Sequence, residues 1–198
     1  THGRDPSESH GGASHSRVPV PDTEQQQDLL CTLRCQNVLG SEDLASAVAE
    51  LTHRAPDLLG VRRADMNYIV PQHRTGLNVL EHLKDLDPEW IDLTRHVFSQ
   101  GFPGRQRLKF SFFPDPDRAQ GSTMHSFQGW ETRCLVIGIP ALEDDGCGDP
   151  NNAYARDYWT SIYIGLTRLA ISQSGSHLIV VNGEPRLENF LSAWFEPI

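Results

Sequence analysis

Two short segments of the chain combine residue types that could perform chemistry. Residues 122–131 read STMHSFQGWE and place hydroxyl, imidazole, amide and carboxylate side chains close together. Residues 163–170 read YIGLTRLA and carry one arginine, Arg168, in an otherwise apolar stretch. Because a guanidinium in apolar surroundings needs an anionic partner, Arg168 should bind either a carboxylate or a phosphate. Taken alone, the residue favours the ordinary structural ion pair.

Each of these segments comes before an apolar run that reads as a strand, at residues 133–139 and 177–182. The first segment reads as a loop between two strand-like runs, and in an open α/β sheet ligands usually bind in loops at the ends of strands. The position of the first segment therefore predicts a ligand site.

The elements that must position these residues alternate along the chain. Apolar runs predict strands at residues 29–33, 66–70, 108–113, 134–139 and 178–181. Helical periodicity predicts helices capped by Ser41 and Thr75, a helix from Asp87 through Phe98, and helices at 154–171 and 187–195. Strands that are apolar throughout and separated by helices imply an α/β fold with a mostly parallel sheet covered on both faces.

Composition limits the classes of protein that fit. The 198 residues are enough for one domain, and we expect the polar residues 1–27 to form a flexible leader or linker before a folded domain at 28–198. A net charge of −9 argues against a uniformly basic nucleic-acid-binding surface, so any such contact must be local. No apolar run is long enough for a membrane helix, and four irregularly spaced cysteines favour a reducing, cytoplasmic compartment without structural zinc.

The two segments together resemble motifs V and VI of superfamily 1 helicases of the UvrD/Rep kind. The first reads T-x-H-S-F-Q-G-x-E and the second Y-I-G-L-T-R-L-A, and each comes before an apolar strand, in the order of the helicase motifs. The resemblance covers roughly residues 28–198. It implies a C-terminal RecA-like motor domain with a three-layer α/β fold, acting on single-stranded DNA with ATP.

The resemblance also implies roles for individual residues. Arg168 would be the arginine finger that reaches the γ-phosphate of ATP. Further ATP contacts are implied for Glu131, Gly129 and Thr167, and for Arg74, which follows a strand much as the arginine of motif IV does. Contacts with the nucleic-acid strand are implied for Thr123, His125 and Gln128. Gln128 stands where UvrD-like enzymes mostly have lysine and where Upf-type RNA/DNA helicases have glutamine, so an RNA substrate and that subfamily remain open.

Two features of such a motor are missing from the sequence. A P-loop requires lysine in the pattern G-x-x-x-x-G-K-[ST], and neither Lys84 nor Lys109 follows a glycine. No strand ends in an Asp-Glu pair that could hold Mg²⁺. The resemblance therefore implies that an N-terminal RecA-like domain, joined in cis, binds most of the ATP and Mg²⁺, and that this chain alone does not hydrolyse ATP.

Two other classes of function are compatible with an α/β domain. A RecA-like interaction module without motor activity, binding protein or nucleic acid, remains an alternative. An unrelated nucleotide-binding α/β enzyme would need a phosphate loop or a nucleophile with its base, and the sequence contains neither.

Overall fold

A parallel sheet forms the centre of the computed structural model, which describes residues 31–89, 94–96, 119–127, 131–142, 153–170, 172 and 175–198. Its seven strands lie in the order β3-β4-β2-β5-β6-β1-β7, and every neighbouring pair is parallel. The strands are β1 (Cys31–Asn37), β2 (Met66–Val70), β3 (Thr94–His96), β4 (Ala119–Thr123), β5 (Cys134–Ile139), β6 (Ser176–Asn182) and β7 (Glu196–Pro197).

Helices cover both faces of this sheet. The α-helices are α1 (Ser41–Leu59), α2 (His73–Leu86), α3 (Ala153–Leu166) and the shorter α4 (Glu188–Trp194). Single 3₁₀ turns occur at Arg63–Asp65 and Pro185–Leu187. Buried residues of α1 and α2 share one apolar cluster, and those of α3 and α4 share another.

The central strand β5 shows why two clusters form. Cys134 and Val136 belong to the cluster with α1 and α2, whereas Leu135, Ile137 and Ile139 belong to the cluster with α3 and α4. Successive side chains of a strand point to opposite faces, so a strand that is apolar throughout must be covered on both. The predicted fold class, a parallel sheet between two helical layers, is confirmed.

Strand β4 was not predicted, because its sequence AQGST is polar. All five of its residues are buried, and it pairs with β2 and β3. Gly121 lies beside Tyr68 in the register of β2, and a Cβ at this glycine would come within 2.1 Å of the Tyr68 ring. The glycine leaves room for the tyrosine. The assignment of Ser122 and Thr123 to a loop was therefore wrong, since both lie in this strand.

The predicted boundaries of the first two helices also differ. Gly40 rather than Ser41 is the N-cap of α1, and Gln72 rather than Thr75 is the N-cap of α2. Gly40 has no side chain and Gln72 makes no side-chain capping hydrogen bond, so the predicted hydroxyl caps are not the N-caps of these two helices.

Two further helix predictions were wrong in extent. The segment predicted as helix up to Phe98 contains β3, because pairing with β4 outweighs local periodicity. Helix α3 ends at Leu166 rather than at residue 171. The predicted strand at 108–113 and the leader 1–27 lie outside the described residues. Among the helices that the structure describes, none combines the length and apolar character needed to cross a membrane.

Candidate functional site

The two motif-like segments meet at the amino edge of the sheet, the edge at which its strands begin. Thr132, two residues before β5, donates its N–H to the carbonyl of Arg168 at 3.0 Å, and Ala170 donates its N–H to the carbonyl of Thr132 at 2.8 Å. Thr132 and Leu169 thereby form an isolated parallel bridge. We call this pairing the Thr132 junction. It places Glu131 beside the turn that carries Thr167 and Arg168.

The side chain of Thr132 fixes the junction to the sheet. Its hydroxyl is buried and accepts a hydrogen bond from Asn67 Nδ2 at 2.6 Å. The same oxygen lies 3.3 Å from the carbonyl oxygens of Asp65 and Cys134, to either of which it can donate. Thr132 thus connects the amino ends of β2 and β5 to the turn after α3.

A second contact between the two segments lies at the end of α3. Gly165 belongs to the YIGLTR sequence, and a Cβ there would lie 3.2 Å from Ile69 Cδ1 and 3.5 Å from the sulfur of Met124. Met124 belongs to the first segment and donates its N–H to the carbonyl of Val70 at 3.0 Å. The glycine therefore lets the end of α3 pack closely on the sheet and on the first segment.

Arg168 is partly buried and folds back on the end of its own helix. Its Nε donates to the carbonyl of Ile164 at 3.0 Å, and its Nη2 donates to Thr167 Oγ1 at 3.2 Å. Thr167 Oγ1 in turn donates to the carbonyl of Ile164 at 3.0 Å. A cation at this position is favourable because the last carbonyls of a helix carry partial negative charge.

The structural ion pair considered from the sequence does not occur among the described residues, where no carboxylate lies within salt-bridge distance of Arg168. The inner edge of the guanidinium consists of Nε–H and one hydrogen of Nη2. Both hydrogens are donated to groups at the end of α3. Nη1 and the other hydrogen of Nη2 form an outer fork, which can bind two oxygens of one phosphate.

The other residues predicted to bind ATP divide into three groups. Glu131 and Thr167 are exposed next to the Thr132 junction. Gly129 lies outside the described residues, as does Gln128 of the predicted nucleic-acid contacts. Arg74 lies at the other edge of the sheet.

Arg74 is separated from the junction by the whole sheet. It lies in the first turn of α2, just beyond the end of β2, and is exposed at the carboxyl edge of the sheet. Helix α2 also packs on the face opposite α3. Arg74 and Arg168 therefore lie at opposite edges and on opposite faces, and the structure does not group them around one phosphate.

The residues predicted to contact nucleic acid lie at the carboxyl edge of β4. Thr123 is buried, and its hydroxyl donates to Ser126 Oγ at 2.9 Å and accepts from the Ser126 N–H at 3.3 Å. His125 is exposed, and its Nε2 lies 3.2 Å from Ser161 Oγ of α3. Thr123 thus shapes the turn, whereas His125 is accessible to a ligand.

The connection from Thr123 to Thr132 runs from the carboxyl edge of the sheet to the amino edge. Phe127, within it, is buried in the core cluster with α3. The structure therefore places the predicted nucleic-acid contacts at one end of this connection and the Thr132 junction at the other.

A charged cluster at the carboxyl edge of β6 was missed by the sequence analysis. Glu184 is buried and accepts from the Leu142 N–H at 2.8 Å, the Arg186 N–H at 3.0 Å and Arg186 Nη2 at 2.7 Å. Burial alone would raise the pKa of Glu184, but the hydrogen bonds from Arg186 and Leu142 lower it to about 2. Arg186 also lies over the Trp159 ring, 5.4 Å from its centroid.

Only the turn sequence NGEP after a strand hinted at this cluster, and that signal does not distinguish a buried pair from a surface pair. A hollow of about 340 Å³ lies beside it, lined by Ala141, Leu142, Glu184, Pro185 and Arg186. The carboxylate and the guanidinium are already paired with each other, so the hollow presents little net charge.

Within the described part of the chain, no group of three His, Cys, Asp or Glu residues could hold a metal ion. No family model matches the chain, and no curated protein matches it in sequence.

Proposed function

We propose that this chain is the C-terminal motor domain of an ATP-dependent superfamily 1 DNA helicase or translocase. One observation carries the proposal. The Thr132 junction brings Glu131, Thr167 and Arg168 to one edge of the sheet, although they come from segments far apart in the sequence. Residues that bind one nucleotide must lie close together in space. The proximity of these three residues therefore supports the roles that the motif resemblance implies.

Arg168 would act on ATP through its outer fork. In phosphoryl transfer, charge spreads over the oxygens of the moving phosphoryl group, and a fixed guanidinium stabilises it. Helix α3 and the Thr132 junction hold the arginine in place, and no carboxylate of the described residues pairs with it. Because neither lysine lies in a P-loop, ATP and Mg²⁺ would be held mainly by an N-terminal RecA-like domain across a cleft.

The nucleic-acid strand would lie at the opposite edge, near His125 and the turn shaped by Thr123. Local contact at one loop is compatible with a chain of net charge −9, which cannot attract phosphates over its whole surface. Single-stranded DNA in the cytoplasm is the partner we propose, with RNA as the alternative that Gln128 leaves open.

The proposal is tested by an ATPase assay on this chain joined to its N-terminal RecA-like domain. We expect single-stranded DNA to stimulate turnover, and Arg168→Ala to lower kcat by about 10³-fold with little effect on ATP binding. Arg156→Ala removes an exposed arginine from the same helix and should leave turnover unchanged. Normal turnover by Arg168→Ala would refute the arginine-finger role.

Two further measurements separate this proposal from a non-catalytic interaction module. Titration of the chain alone with Mg·ATP by calorimetry should give weak binding or none, and tight binding would contradict a half-site. An assembled protein that binds single strands but has no ATPase activity would instead support the interaction module.

A further inference from the structure

Thr167 has a hydrogen-bonding arrangement that bears on how Arg168 would work. We infer that Thr167 is a positioning residue for Arg168, and that its hydroxyl holds the inner edge of the guanidinium so that the outer fork faces away from α3. The inference rests on the proposed function, because it matters only if Arg168 acts on the nucleotide.

The hydroxyl of Thr167 has one hydrogen, which it donates to the carbonyl of Ile164 at 3.0 Å. Its oxygen accepts a hydrogen bond from Arg168 Nη2 at 3.2 Å. The phosphate oxygens of ATP only accept hydrogen bonds at neutral pH, so Thr167 could not bind one without breaking its bond to Ile164. The structure therefore favours a role for Thr167 in orienting Arg168 over the direct nucleotide contact that the motif resemblance implies.

A second anchor explains why one hydroxyl should matter. Arg168 Nε donates to the carbonyl of Ile164 at 3.0 Å, and this bond alone would leave the guanidinium plane free to turn. The bond to Thr167 fixes the plane. Because a long side chain loses rotamer entropy when it is ordered, fixing the arginine before ATP binds removes part of that cost from the reaction. The Thr132 junction holds the backbone of Arg168 in the same way.

The test compares two isosteric substitutions in the assembled ATPase. Thr167→Val removes the hydroxyl, and we expect kcat to fall about tenfold while the KM for ATP stays within about twofold. Thr160→Val is the matched control. Thr160 is exposed on the same helix, and its hydroxyl donates to the carbonyl of Arg156 at 2.7 Å without contacting any guanidinium in the described residues. Its turnover should be unchanged, and Thr167→Ser should recover most of the lost kcat.

A double variant separates positioning from a general structural effect. In the Arg168→Ala background, Thr167→Val should cause no further loss of kcat, because the group it positions is absent. A raised KM with unchanged kcat in Thr167→Val would show direct nucleotide contact and overturn the inference. Normal kinetics in Thr167→Val with a defective Arg168→Ala would overturn it while leaving the proposed function intact. Normal kinetics in Arg168→Ala would refute the proposed function itself.

A measurement on the chain alone does not depend on ATPase activity. In NMR spectra of ¹⁵N-arginine-labelled protein, we expect the Nη hydrogens of Arg168 to show restricted rotation, which Thr167→Val should abolish and Thr160→Val should not. Circular dichroism would confirm that the variants fold, as expected for an exposed side chain. Free rotation of the Arg168 guanidinium in the unaltered chain would overturn the inference.

Discussion

Acidification should lower the free energy of unfolding of this protein by protonating one buried carboxylate, that of Glu184. Its pKa is about 2 in the folded chain against an ordinary value of 4.5. A group whose pKa is lowered by folding stabilises the fold above its unfolded pKa, and that contribution is lost as pH falls toward the folded pKa. The loss should therefore occur between about pH 5 and pH 2.

The size of this effect follows from the structure. At about 1.4 kcal/mol for each pH unit, lowering the pKa from 4.5 to about 2 corresponds to about 3 kcal/mol. Glu184 is only 1% exposed, but Arg186 is 45% exposed, so solvent screens the attraction between the two charges and reduces its contribution to stability. We therefore expect Glu184 to contribute about 2 to 3 kcal/mol at pH 7, and less than half of that at pH 3.

Glu184→Gln isolates the contribution, because an amide keeps the shape of the side chain and removes its charge. One amide oxygen cannot replace two carboxylate oxygens that face N–H groups of Leu142 and Arg186. Urea unfolding should show that the variant is less stable than the unaltered chain by about 2 to 3 kcal/mol at pH 7, with a smaller difference at pH 3.

Glu188→Gln is the control, because Glu188 is exposed on the neighbouring helix, and it should change the free energy of unfolding by less than about 0.5 kcal/mol. A Glu184→Gln difference that is the same at pH 7 and pH 3, or below about 0.5 kcal/mol at pH 7, would show that the buried carboxylate does not stabilise the fold as argued.

Two further predictions concern the core. Gly121→Ala should lower the free energy of unfolding by several kcal/mol in urea titrations, because the new Cβ would lie 2.1 Å from the Tyr68 ring. Gly40→Ala meets no atom closer than 3.5 Å, so it should cost at most the roughly 1 kcal/mol expected when alanine occupies an N-cap. Equal stability of the two variants would contradict the packing. Burial, with a smaller contribution from Asp65, raises the pKa of Cys134 to about 12, so iodoacetamide at pH 8 should label exposed Cys31 and leave Cys134 unmodified until the protein unfolds. Peptide mass mapping reads the labelling directly, and rapid native labelling of Cys134 would refute its burial.

The elements that the sequence predicts well are those whose own residues require burial on every side. The run CLVIGI has no polar face, so only a central strand can accommodate it, and β5 has the predicted bounds. The apolar Met66–Val70 segment was predicted as β2 for the same reason. In both cases the hydrophobic effect acts on each residue separately, and the pattern along the chain is sufficient.

The elements that were missed depend on neighbours distant in the sequence. AQGST becomes a buried strand because Gly121 accommodates Tyr68 of β2. The segment containing Thr94–His96 reads as a helix until β4 is available for pairing. Local patterns do not report such partners, because pairing energy belongs to two segments at once.

The candidate site, like the fold, was predicted only in part from the sequence. From the sequence, the motif resemblance implied that Arg168, Glu131 and Thr167 serve one nucleotide, and the lysine positions indicated that no P-loop accompanies them. Only the tertiary structure decided that Thr132 ties these residues together, that Arg74 lies at the opposite edge of the sheet, and that Thr167 is hydrogen-bonded to Arg168. Residue types determine which hydrogen bonds and charges are available. Which of them meet depends on strand register and helix packing, and these are properties of the folded chain as a whole.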